Sequence, residues 1–376
     1  MKYWRGYLVA AILAACTWAF RDLASTHTKL VDMIYPYVTR MVQNYLAGWS
    51  GAVDFCVWQV VVLALLVVAF ASVVLMIIFK WNPIQWFGWI LSVVSLIVLL
   101  HTGIFGMNVY AGSIAEDMRL PDTAGTQEQM EQTAIYYRDK ANELALDVAR
   151  MSDETVKLPE LDELNELAPN GFRHLVYDQY YSVFAGSTAP VKELGMADYF
   201  TKRGKMGLTV AITGEAAVNM EAPTVMIPYA ICREMSYRMC IATPEDTAFA
   251  GILASQANEE ACFQYAGYVM AYQSLLEALP EAAANEIAAH ANTQLRNDVQ
   301  AWKEFVTRGV SEKNAQENKE VNEKLAKMLV NWHYNSVVLP SITVPEVDFD
   351  PMDESQVDLT TTVNTVLPTE ATEEPD

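Results

Sequence analysis

The chain has 376 residues, 52% of them hydrophobic, with 25 Lys and Arg against 46 Asp and Glu and a formal net charge of −21. Residues 1–110 carry six basic and three acidic residues, so the negative excess lies entirely after position 110. A surface that acidic repels nucleic acid and anionic headgroups, which excludes a nucleic-acid partner, while the length admits more than one domain.

The first apolar stretch, residues 3–20, reads as a membrane span or a signal peptide with Lys2 and Arg5 as its charged start. Residues 56–79 then run for 24 positions without a charge. As a helix they would reach ~36 Å, enough for a hydrocarbon core of ~30 Å. Lys80, Trp81, Asn82 and Pro83 suit an interfacial turn, and the uncharged stretch 84–107 completes a transmembrane hairpin. The expectation is a membrane anchor over 1–110 with three spans, at 3–20, 56–79 and 84–107. With the N-terminus inside, Lys2, Arg5 and Lys80 oppose Arg21, Lys29 and Arg40, so the charge rule gives no orientation.

The remainder, 111–340, reads as a helical domain in water. Residues 124–151 are polar with apolar positions at helical spacing, and Pro159 to Pro169 reads as a turn-rich linker. A helix is expected again over 170–185 and a short one over 192–202. Gly207 to Thr213 is β-branched, apolar and bounded by Gly207 and Gly214, the best strand in the chain. Helices follow over 226–240, from Thr243-Pro244-Glu245-Asp246 with its N-cap and first-turn acids, from about Asn258 to Leu279, and through 281–333. After Lys327 there is no Lys or Arg, and 341–376 hold ten acids among Thr and Pro, which predicts a disordered acidic tail. Cys16, Cys56, Cys232, Cys240 and Cys262 form no CxxC pair and read as free thiols.

One segment has the frame of a zinc-peptidase motif. In H-E-x-x-H two histidines one helical turn apart ligate one ion, and the glutamate between activates its water. Here Arg233-Glu234-Met235-Ser236-Tyr237 has that frame without either histidine.

The surroundings carry a resemblance. Ala211-Ile212-Thr213-Gly214-Glu215-Ala216-Ala217-Val218-Asn219, then Arg233 to Tyr237, Asp246-Thr247-Ala248-Phe249 and Phe263-Gln264-Tyr265-Ala266-Gly267-Tyr268 occur in that order, with Ile34-Tyr35-Pro36-Tyr37-Val38 and Phe105 to Tyr110 upstream. This series resembles the membrane-anchored, zinc-peptidase-like family known as domain of unknown function 3810. The resemblance implies a mostly α fold, with three N-terminal transmembrane helices and a gluzincin-like (zincin-like) helical domain containing a short strand. It places the first zinc histidine on Arg233, the second on Tyr237, and the third ligand, a glutamate in the family, on Asp246. The general-base position alone is retained, at Glu234. Thr213, Gly214, Glu215, Asn219, Tyr265 and Tyr268 would line the cleft.

Arginine keeps its proton to above pH ~12 and offers a metal no lone pair, while a neutral phenol is a poor ligand. The expectation is therefore a pseudopeptidase without zinc or other cofactor, catalytically inactive, anchored in the lipid bilayer and holding a peptide or protein partner. The alternative is an active membrane-bound metallopeptidase with an atypical metal site. By analogy with the family the soluble domain would be extracellular. Arg233 is expected to replace the lost ion by pairing with Asp246.

Overall fold

The structure is a computed structural model, and it describes residues 4–121, 125–178, 181–309 and 312–338. The tail expected over 341–376 lies outside the described residues.

The N-terminal part consists of four long helices, α1 (Arg5–Thr26), α2 (Thr28–Ser50), α3 (Val57–Ile78) and α4 (Pro83–Ile104). Three of these, α1, α3 and α4, are long and apolar enough to cross a membrane, which is consistent with a membrane protein. They coincide with the three apolar stretches of the sequence. Asn82 caps α4 by accepting from the amides of Ile84 and Gln85, with Pro83 at its first position.

Helices α1 and α4 run side by side. A Cβ added to Gly6 would lie 2.5 Å from the carbonyl carbon of Gly88, so glycine is required for the backbones to approach this closely. Ser92 Oγ donates to the carbonyl of Gly6 at 2.7 Å. Because α1 also touches the 3₁₀ turn Gly106–Tyr110 beyond the far end of α4, the two are parallel. Helix α3 runs the other way, joined to α4 through a tight turn in which Lys80 has φ 52°.

The remaining described elements are α5 (Ile114–Asp117), α6 (Gln127–Asp147), α7 (Leu161–Tyr177), β1 (Lys192–Glu193), α8 (Ala197–Thr201), β2 (Gly207–Val210), β3 (Glu215–Val218), α9 (Ile227–Arg238), α10 (Pro244–Gln256), α11 (Ala261–Ala278), α12 (Glu281–Ala289), α13 (Thr293–Val306) and α14 (Glu312–His333). The fold is mostly helical with a small sheet. Its main hydrophobic core draws on α6, α7 and α9 to α14. Helix α10 is buried around its whole circumference from Asp246 to Ser255, so it forms the centre.

Three local expectations needed correction. The stretch expected as a linker, 159–169, is the first half of α7, with Pro169 inside the helix. A proline there loses one backbone bond and costs ~3 kcal/mol, which the amphipathic burial of Leu164, Ala168, Phe172 and Leu175 offsets. At Gly171 an added Cβ would collide with the carbonyl oxygen of Ala254, so α7 lies directly on α10. The single strand is a hairpin, β2 antiparallel to β3 with Val210 opposite Glu215, and β1 adds in parallel to give the order β1-β3-β2. The short helix expected over 192–202 begins only at Ala197, because Lys192 and Glu193 form β1.

Candidate functional site

Helix α9 presents Arg233, Glu234 and Tyr237 at the junction of the helical core and the sheet. Glu234 is 3% exposed. Its Oε1 accepts from Arg233 Nη1 at 2.7 Å and its Oε2 from Thr209 Oγ1, on β2, also at 2.7 Å. Gly207 lets β2 close over this carboxylate, since a Cβ there would lie 2.7 Å from Glu234 Cγ. Burial is the largest effect on Arg233 and disfavours its charge, but Glu234 together with Tyr229 and Tyr237 holds the guanidinium above its ordinary pKa.

Tyr237, one turn beyond Arg233, is close enough to feel both charges of this pair but packs elsewhere. Its ring lies 4.7 Å from that of Phe105, the residue that follows α4, and both pack with Ala211 and Cys240. Burial is the largest cause raising the Tyr237 pKa, so the phenol stays protonated. Cys240, just beyond α9, has φ 70°, a left-handed conformation that ends the helix.

Asp246 is 4% exposed and held within its own surroundings. Its Oδ1 accepts from Ser113 Oγ at 2.6 Å and the amide of Ile114 at 3.2 Å, and its Oδ2 from Thr243 Oγ1 at 2.6 Å. Thr243 in turn caps α10 by accepting from the Asp246 amide. Burial raises the Asp246 pKa against the lowering effect of these donors. The expected Arg233–Asp246 pair is thus replaced by an Arg233–Glu234 pair. The physical reason is that Asp246 already has three donors within reach, two of them from the segment leaving the apolar helices.

A cavity of about 190 Å³ adjoins Asp246, lined also by Asp32, Arg40, Asp117 and Cys240. Arg233, Glu234 and Tyr237 do not line it. Among the described residues no three His, Cys, Asp or Glu side chains converge as a metal site. All five cysteines are free, with Cys56, Cys232 and Cys240 buried.

The residues expected to line a cleft fall in separate surroundings. Thr213 and Gly214 form the β2–β3 turn, and Gly214 (φ +67°) abuts α2, where a Cβ would lie 2.6 Å from that of Leu46. Glu215 accepts from the amides of Val57 at 2.7 Å and Trp58 at 2.8 Å, capping α3, and forms a buried ion pair with Lys192 at 2.7 Å. Asn219 is fully buried and donates to Thr201 Oγ1 and the Lys205 carbonyl. Tyr265 donates to Asp298 Oδ2 at 2.6 Å, beside the Arg150–Asp298 pair. The Tyr268 ring lies 5.8 Å from that of Tyr137.

Sequence reasoning missed Lys192, Ser113, Thr209 and Phe105. Lys192 carried no signal: it reads as the start of a short helix, and nothing local names its partner Glu215, 23 positions on.

No curated protein and no solved structure matches this chain. Residues 31–331 match the family described as protein of unknown function (DUF3810), a span that takes in α2 through most of α14, and the chain belongs to that family.

Proposed function

We propose that this protein is a membrane-anchored pseudopeptidase: a chain with a gluzincin-like ancestry that has lost its zinc site, lacks catalysis, and serves in binding or scaffolding at the membrane. The observation that carries this reading is the 2.7 Å contact from Arg233 to Glu234. A general base must be free to take a proton from a metal-bound water. Here its two oxygens are engaged by a guanidinium and by Thr209. The other positions aligned with ligands are engaged as well, Tyr237 against Phe105 and Asp246 by Ser113 and Thr243. A permanent cation at 233 occupies the electrostatic place of a divalent ion and repels one. The donor set therefore does not suit zinc, and no hydrolytic step is assigned.

Three apolar helices supply the anchor, and by analogy with the family the soluble domain lies outside the cell. Its acidic surface favours a basic or neutral peptide or protein as partner.

The full chain, purified in detergent and incubated with excess zinc, should retain far less than one metal per chain by elemental analysis. Arg233→Ala should not restore stoichiometric binding. An ion bound one per chain that is lost in Glu234→Gln or Asp246→Asn would overturn the proposal in favour of an atypical metal site.

A further inference from the structure

Helix α2 is amphipathic the wrong way round for a water-soluble surface. The side that meets the domain is largely polar: Thr39, Gln43, Ala47 and Ser50 are buried at spacings of four, four and three. The side left largely exposed among the described residues is apolar. Leu30, Met33, Ile34, Tyr37, Val38, Met41, Tyr45 and Trp49 recur at helical spacing and are each about half exposed or more, Met41 72% and Tyr45 76%. In water, a helix on a soluble domain turns its apolar stripe inward. This one is fixed in the opposite sense by directional bonds. Gln43 Nε2 donates to the Ala211 carbonyl at 2.9 Å, Tyr35 OH to the Thr102 carbonyl at 2.8 Å, and Arg40 Nε to the Met239 carbonyl at 3.3 Å. Lys192 Nζ donates to the Ser50 carbonyl at 2.8 Å. Thr39 and Asn108 bond each other. Rotation of α2 to hide the stripe would break this whole row.

The neighbours of α2 indicate what covers the stripe. Only His27 separates it from the end of α1, and six residues separate it from the start of α3. The Tyr35–Thr102 bond ties it to the last turn of α4. All three apolar helices therefore reach the level of α2 at their domain-side ends. A helix of 23 residues, ~34 Å long, lies along that level between the domain and the place where the apolar helices begin.

We infer that α2 lies in the plane of the bilayer, its outward stripe sunk into the boundary between headgroups and acyl chains, as a lipid-facing floor of the domain. This rests on the reading that α1, α3 and α4 span the membrane. Tyr37, Tyr45 and Trp49 suit that depth, since their rings combine an apolar body with a polar edge. The segment also belongs to the net-basic part of the chain, so anionic headgroups do not repel it as they would the acidic domain. The soluble domain would then be held at a set height and orientation over the membrane, with the cavity beside Asp246 directly above the lipid, because Tyr37 and Arg40 of α2 line its wall.

Nitroxide labels report this on the full chain. Met33→Cys, Met41→Cys, Tyr45→Cys and Trp49→Cys would be introduced singly, with Val60→Cys, Val67→Cys and Phe70→Cys in α3, all in a Cys16→Ser, Cys262→Ala chain. The protein would be reconstituted into phosphatidylcholine vesicles with a minority of phosphatidylglycerol. The expected result is greater collision with oxygen than with a nickel chelate at all four α2 sites, at one shared depth of about 5–10 Å. The α3 sites should instead show a depth gradient. Chelate access at the α2 sites equal to that in water, beside an intact α3 gradient, would overturn the inference and leave the anchor reading standing. Low collision with both agents at α2 would also overturn it, since protein, a second copy included, would then cover the stripe. Loss of the α3 gradient would instead sink the anchor reading itself.

Discussion

The carboxylate of Glu215 accepts the amide of Val57 at 2.7 Å, so an acid from the sheet caps the first turn of an apolar helix 158 positions earlier in the chain. The amides at a helix N-terminus have no partner within the helix, and a negative charge there also meets the positive end of its dipole. Lys192 pairs with the same carboxylate and holds the Ser50 and Phe55 carbonyls, so one buried ion pair joins the end of α2, the start of α3 and the sheet.

This joint predicts a strong coupling. Lys192→Met or Glu215→Gln alone should destabilise the chain by ~3–5 kcal/mol, because each leaves a buried charge or buried amides without a partner. The double change should cost less than the sum, without full recovery, since the Val57 and Trp58 amides remain weakly capped. Thermal unfolding of the four chains in one detergent measures the cycle; additive losses would contradict the shared joint.

The Arg233–Glu234 contact predicts a second cycle. Arg233→Ala should destabilise by ~3 kcal/mol, because Glu234 stays buried with Thr209 as its remaining side-chain donor. Adding Glu234→Gln should recover part of that loss. Arg233→Ala with Asp246→Ala should instead be additive, since these two side chains satisfy separate partners. Denaturation midpoints of the single and double variants decide between the two pairings.

Asp246 predicts a pH dependence with a definite sign. Its carboxyl is raised above the ordinary 3.8, mainly by burial, so the folded state holds the proton more tightly than the unfolded chain does. Its contribution to stability is therefore fully present below that ordinary value and is lost as pH rises through the raised one. Asp246→Asn removes this loss. The melting temperature of the variant relative to the parent should rise with pH across that window and level off above it; a difference independent of pH would refute the shift.

The contact of Gly171 with the Ala254 carbonyl predicts a steric effect. Gly171→Ala places a methyl group where the α10 backbone stands and should cost ~1–3 kcal/mol or more, although alanine is the better helix former. Circular dichroism during thermal unfolding checks the sign. A stabilised variant would mean that α7 does not lie on α10.

Some of this protein is legible locally. The uncharged runs at 56–79 and 84–107 can be little else than long apolar helices, and Thr243-Pro244-Glu245-Asp246 starts α10 where its capping chemistry says. Arg233 and Tyr237 are visible in the motif frame, and so is the loss of both histidines. Each of these depends on neighbours within a few positions, where spacing and intrinsic preference suffice.

Tertiary structure decided the rest. Pro169 reads as a break because its cost is local, whereas the burial that outweighs it comes from α10. Local spacing leaves Asp246 open to pairing with Arg233, whereas in the fold Ser113, 133 positions away, holds it. Glu215 reads as a cleft residue until the fold brings the α3 amides to it. The two faces of α2 can be seen in its spacing, but only packing shows that the polar face is the covered one. The sequence determines that two faces exist; contacts 67 to 199 positions away determine which of them is left uncovered.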